Sequence, residues 1–65
     1  MCEANAYIVK DGKEELLMES VDIIEPEDDN RRYKLVSIFG EQKTVRGRIS
    51  LMNLVDHKIF FERTL

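Results

Sequence analysis

The chain has 65 residues, 43% of them hydrophobic and 35% charged, with a formal net charge of -3. That length allows one domain, 1–65, which buries only about 60% of its unfolded surface, and the composition fits a globular chain rather than a disordered one. The acidic balance disfavours long-range attraction to nucleic acid, the single cysteine excludes an internal disulfide framework, and no apolar run approaches the roughly 20 residues of a membrane-spanning helix.

The first expected strand covers Ala4 to Lys10, with Ala4, Ala6 and Ile8 on one face and Tyr7 and Val9 on the other. Asp11-Gly12 follows, a pair that suits a type I′ hairpin turn because both residues must accept positive φ. The region Glu14 to Glu25 alternates imperfectly: Leu17, Val21 and Ile23 against Met18, Asp22 and Ile24. It reads as two short strands or one bent strand, although Glu14 to Met18 are fair helix formers. Pro26 to Asn30 marks a second break. The third strand, Arg32 to Phe39, puts Tyr33, Leu35 and Phe39 opposite Val36 and Ile38. Gly40-Glu41 is the next turn. The fourth strand runs from Lys43 to Leu54, with Val45, Ile49 and Leu51 in step. Gly47 interrupts it and points to a bulge or a barrel corner. Asp56-His57 turns the chain into the last strand, Lys58 to Arg63, where Ile59 and Phe61 oppose Phe60.

Short runs between closely spaced turns predict an all-β fold, barrel-like, of about five to seven short antiparallel strands. Several runs are apolar on both faces, notably at Val36, Ile38, Phe60 and Phe61. One small interior cannot hold them all, so a homodimer is expected to bury the surplus. The lone cysteine and the lack of a basic, long apolar leader predict a cytoplasmic protein.

The chemistry concentrates at Cys2, just ahead of the alternating pattern. Loss of Met1 would expose an α-amine on the residue that carries the thiol. Amine and thiolate would close a five-membered ring on one metal ion, a deprotonated Glu3 amide would close a second, and two Cys2 residues brought together across a dimer axis could fill the positions left open. Amide deprotonation is rewarded chiefly by Ni(II) and Cu(II), which favour square-planar N and S donors. The amine titrates near pH 8 or just below, and a metal lowers the thiol's own value of about 8.5. An N-terminal nucleophile is the other chemical reading of this residue. It needs oxyanion donors, and no loop here offers an obvious place for them.

The stretches MCEANAYIVKDGKEELLMESVD, LVSIFGEQK and LVDHKIFFE resemble the CooT family nearly end to end. The resemblance implies a small β-barrel-like protein of the bacterial or archaeal cytoplasm. It implies a homodimer that binds nickel through the cysteine after the initiator methionine and accompanies nickel insertion into carbon monoxide dehydrogenase. Cys2 is the position that carries over. A nickel-enzyme client or maturation factor is the implied partner, and no catalytic activity is implied.

The remaining polar residues weigh less. His57 is the sole histidine and lies far along the chain from Cys2, so it reads as a surface turn residue. Glu25, Glu27, Asp28 and Asp29 lack the spacing of a calcium loop. Two basic clusters, Arg31-Arg32-Lys34 and Lys43-Arg46-Arg48, would merge if their strands pair. With Tyr33 or Phe39 stacking on a base, they would make an RNA-binding module, the alternative function. Cross-strand charge pairing accounts for them equally well.

Overall fold

The computed structural model describes residues 3–29 and 31–63. Six strands form one sheet: β1 (Ala4–Lys10), β2 (Lys13–Glu27), β3 (Arg32–Ser37), β4 (Gln42–Arg46), β5 (Arg48–Asn53) and β6 (Lys58–Glu62). Their spatial order is β4-β3-β2-β1-β6-β5. The described residues contain no helix, so the segment from Lys13 to Glu27 takes its strand reading.

Local chemistry makes the first hairpin. Asp11 and Gly12 both have positive φ, 52° and 76°, as a two-residue I′ loop requires. β2 is one bent strand of 15 residues. Its first part pairs with β1 as far as Val21, and its second part pairs with β3 from Val21 to Glu27. The switch falls where the register shifts and Ser20 adopts φ 56°. Such a bulge bends the strand and increases its twist. The bulge is not left unsatisfied: the Ser20 amide donates to Asn5 Oδ1 at 3.2 Å and its carbonyl accepts from Ile38 N at 2.9 Å. Beyond Val21, β2 has a strand partner on one side only among the described residues, which is why Pro26 can sit inside it.

The core comprises Ala6, Met18, Val21, Leu35, Val45, Ile59 and Phe61, with Phe61 and Leu35 its largest fully buried side chains. Tyr33 tilts against Phe61 with 5.6 Å between ring centroids. Ser37 is the one buried polar residue among those described. Its hydroxyl accepts from Phe39 N and Glu41 N, both at 3.2 Å, and so builds the turn between β3 and β4.

Five sequence expectations are corrected. The third strand ends at Ser37, so Phe39 lies in a turn, three-quarters exposed, and takes no place beside Leu35. The expected fourth strand is two strands on opposite edges of the sheet, broken at Gly47. Leu51 then leaves the Val45 face, because a register shift between Ile49 and Leu51 turns it to solvent. The strands are also not all antiparallel: β1 and β6 run parallel, from Asn5↔Lys58 to Val9↔Glu62.

The sheet, finally, is not closed into a barrel. Its edge strands β4 and β5 are consecutive in sequence and diverge from the Gly47 corner instead of pairing. The curl nevertheless brings both edges to one point. Gly47 N donates to Arg31 O at 3.2 Å on the β3 side. On the β6 side, its α-carbon packs so tightly that a Cβ would overlap Glu62 O.

Candidate functional site

Two of the residues singled out for metal chemistry are Cys2 and Glu3. Cys2 lies outside the described residues. Glu3 is exposed and leads directly into β1. β1 is flanked by β2 and β6, so the chain enters the sheet at an interior strand. The Asn5 amide donates to the His57 carbonyl at 2.8 Å, which extends the parallel pairing into the turn before β6.

A groove of about 400 Å³ opens at this end of the sheet. Its walls are apolar: Ala4, Val21, Ile24, Met52, Leu54 and Ile59. Three polar residues, Glu3, Asp22 and His57, complete the lining. Its β2 residues, Val21, Asp22 and Ile24, fall where that strand leaves β1 to pair with β3. His57, 54 positions from Glu3 in sequence, therefore shares a surface with it. Periodicity could not reveal this, because only the non-local β1–β6 pairing brings the two together.

Among the described residues, no three His, Cys, Asp or Glu side chains are grouped to hold a metal ion. A site built from these residues alone would have too few donors. The groove does supply the His57 imidazole and the Asp22 carboxylate alongside Glu3, the residue that follows Cys2.

The basic residues form a different surface. Arg32 faces Arg46 across the β3–β4 pair, Lys34 faces Thr44, and Leu35 faces Lys43. β3 and β4 thus bring the two clusters together, while Arg48 belongs to the opposite edge of the sheet. Carboxylates are interleaved: Lys34 Nζ lies 3.9 Å from Glu25, Arg32 lies 3.8 Å from Asp28, and Arg48 lies 3.4 Å from Glu62. Lys43 Nζ donates to Leu17 O at 3.3 Å. Arg31 is exposed in the turn before β3 and donates its amide to Asp28 O at 3.1 Å. Of the two aromatics considered for stacking, Tyr33 packs on Phe61 and Phe39 is exposed in its turn. The acidic group from Glu25 to Asp29 supplies two of these ion pairs and a turn with Asp28 and Asp29 at φ 51° and 55°.

A second exposed feature lies on the face of β1 and β6 turned away from Ala6 and Phe61. The rings of Tyr7 and Phe60 stack, 5.3 Å between centroids and 24° apart. Leu16 and Leu51 flank them on β2 and β5, each about half exposed. Phe60 is thus half-buried and Phe61 fully buried, so neither is a free surplus residue of the kind expected from sequence.

Residues 1–62 match the family model described as CO dehydrogenase accessory protein CooT. Among solved structures, the chain is similar to a protein from Carboxydothermus hydrogenoformans assigned as CooT. The two are 42% identical, the alignment covers 98% of this chain and 100% of the other, and the TM-score is 0.90. No protein among those curated for function matches the sequence.

Proposed function

The chain belongs to the CooT family, and from that premise we propose that it is a cytoplasmic nickel-binding protein that serves the maturation of a nickel enzyme. Its family is described as accessory to CO dehydrogenase, a nickel-containing enzyme. The metal is its cargo. The α-amine and thiolate of Cys2, freed by removal of Met1, hold Ni(II), and the Glu3 amide nitrogen adds a third donor. The observation that carries this reading is the donor set at Cys2, inside the matched span 1–62. The thiolate and two nitrogens are what a square-planar Ni(II) site takes. A chelate that proton competition can empty suits delivery better than permanent storage. The same reading pairs two copies of the chain. Its support is the apolar surface left exposed, including Met52 and Leu54 of the groove wall and Val55 next to them in sequence.

The test compares three forms of the protein: mature terminus, Cys2→Ser, and one extra residue retained ahead of Cys2. Nickel titration of the mature form is expected to develop thiolate-to-nickel charge-transfer absorption. The serine variant should lack that absorption, and the extended form should bind far more weakly because its amine is an amide. Equal binding by all three would remove the reading. Sedimentation checks the dimer.

The juxtaposed Arg32 and Arg46 favour one further reading, an RNA contact on β3 and β4. Binding to a single-stranded oligonucleotide should then weaken with salt and fall in Arg46→Ala. Binding that ignores both changes excludes it.

A further inference from the structure

We propose that the free edge of β4 takes up an extended acidic peptide of a partner protein as an added antiparallel strand. Two backbone hydrogen bonds fix which groups that edge offers. Ser37 N donates to Glu41 O, and Gly47 N donates to Arg31 O. Between them the β3–β4 register runs without a shift, from Arg32↔Arg46 to Val36↔Gln42. Antiparallel pairs alternate between hydrogen-bonded and non-hydrogen-bonded. Lys43 and Val45 therefore turn their backbone groups towards β3, as Glu41 and Gly47 do. Gln42, Thr44 and Arg46 turn theirs outward, where no strand pairs with them among the described residues. Such a row of N–H and C=O groups is a template for another strand.

Charge selects the occupant. Thr44 and Arg46 share a face with their β3 partners Lys34 and Arg32. On β2 the next residues in the same rows are Glu25 and Glu27. The outer row thus runs acidic at Glu27, basic at Arg32 and basic again at Arg46. Asp28 engages Arg32 and Glu25 engages Lys34, whereas Arg46 has no ion pair among the described residues. Arg32 and Arg46 face each other in a non-hydrogen-bonded pair, the closer kind, where like charges are unfavourable. A carboxylate on the far side of Arg46 offsets that repulsion. The β4 strand of a second copy does not supply it, since QKTVR contains two cations and no acid. Phosphates are the poorer match: Glu25 and Asp28 border the basic row, and the Tyr33 ring packs on Phe61. The partner's sequence follows from the pleat. Its carboxylates fall at alternate positions, on the Arg46 face, and the residues between them point to the side of Val45, where small or apolar side chains fit.

The probe is a capped synthetic peptide in which glutamate alternates with valine and threonine. It is titrated into the full chain, and amide hydrogen exchange is followed by NMR. Bound peptide is expected to slow exchange at Thr44 and Arg46, whose N–H groups it pairs, and to leave Lys43 and Val45, already paired with β3, unchanged. The same peptide with lysine in place of glutamate should slow none of them. Arg46→Glu turns a cross-strand attraction into a repulsion and should weaken binding about fivefold or more. Thr44→Pro removes an outward N–H at a position where an edge strand accepts proline. It should abolish binding and leave the β1–β2 amide signals in place. An absence of slowing with the glutamate peptide, equal effects of the two peptides, protection at Arg48–Asn53 instead, or undiminished binding by Arg46→Glu would each overturn the proposal. A single-stranded oligonucleotide that shifts the Arg32 and Arg46 signals while the glutamate peptide leaves exchange unaltered would overturn it in favour of RNA.

Discussion

Gly47→Ala tests the corner that organises the sheet. At φ 150° the residue sits where side chains are rarely found. A methyl group there would overlap Glu62 O and lie 3.1 Å from Glu62 C and 3.2 Å from Arg63 Cα, all of them backbone atoms that cannot swing aside. The conformational cost alone is about 1–3 kcal/mol. Relieving the overlap means separating β5 from β6 at the corner or losing the Gly47–Arg31 hydrogen bond, another ~1 kcal/mol or more. Natural domains carry about 0.05–0.15 kcal/mol of stability per residue, so 65 residues give about 3–10 kcal/mol in all. The substitution therefore consumes a large share of the total. Urea unfolding followed by circular dichroism is expected to show a loss of about 3 kcal/mol or more. Gly12→Ala is the control. Its φ of 76° also disfavours a side chain, but nothing lies within 4 Å of the added methyl, so its loss should stay near 1–2 kcal/mol. If Gly47→Ala costs no more than Gly12→Ala, the close approach of the two edges at Gly47 is wrong.

Other outcomes follow from the same structure. Phe61→Ala removes the largest fully buried side chain and should cost about 3–5 kcal/mol in the same urea assay. Ser37→Ala strands the amides of Phe39 and Glu41, for a loss of about 1–3 kcal/mol. Glu62→Gln removes an exposed ion pair with Arg48 and should change stability by less than about 1 kcal/mol, since such pairs contribute little. Nickel affinity should rise from pH 6 to pH 8, because protons compete for the amine and thiol below their ordinary values of roughly 8 and 8.5; isothermal titration across that range checks the sign.

Local signals were legible and long-range ones were not. Asp11-Gly12 announced its hairpin, and the alternation of Ala4, Ala6 and Ile8 with Tyr7 and Val9 described β1 correctly. Gly47 advertised a corner but not its consequence, that the strands on either side go to opposite edges. The cause is tertiary: Arg31 and Glu62, distant in sequence, close around that glycine. Leu51 was misplaced because a bulge beside Ser50 breaks the two-residue period, and no residue type marks it. The groove was invisible for the same reason as the parallel β1–β6 pair: its walls come from β1, β2, β5, β6 and the turn carrying His57. Cys2 was the part of the candidate site that sequence could name, since chelation by one residue needs no fold.

The parallel pairing of β1 with β6 also sets an order of events during synthesis. Asn5 is made well ahead of its partner Lys58. At about 5–20 residues per second, a ribosome takes seconds to cover that interval. Throughout it, the start of β1 has no β6 to dock against and the His57 turn does not yet exist. The groove, whose lining includes His57 and Ile59, is therefore completed only when the last strand docks.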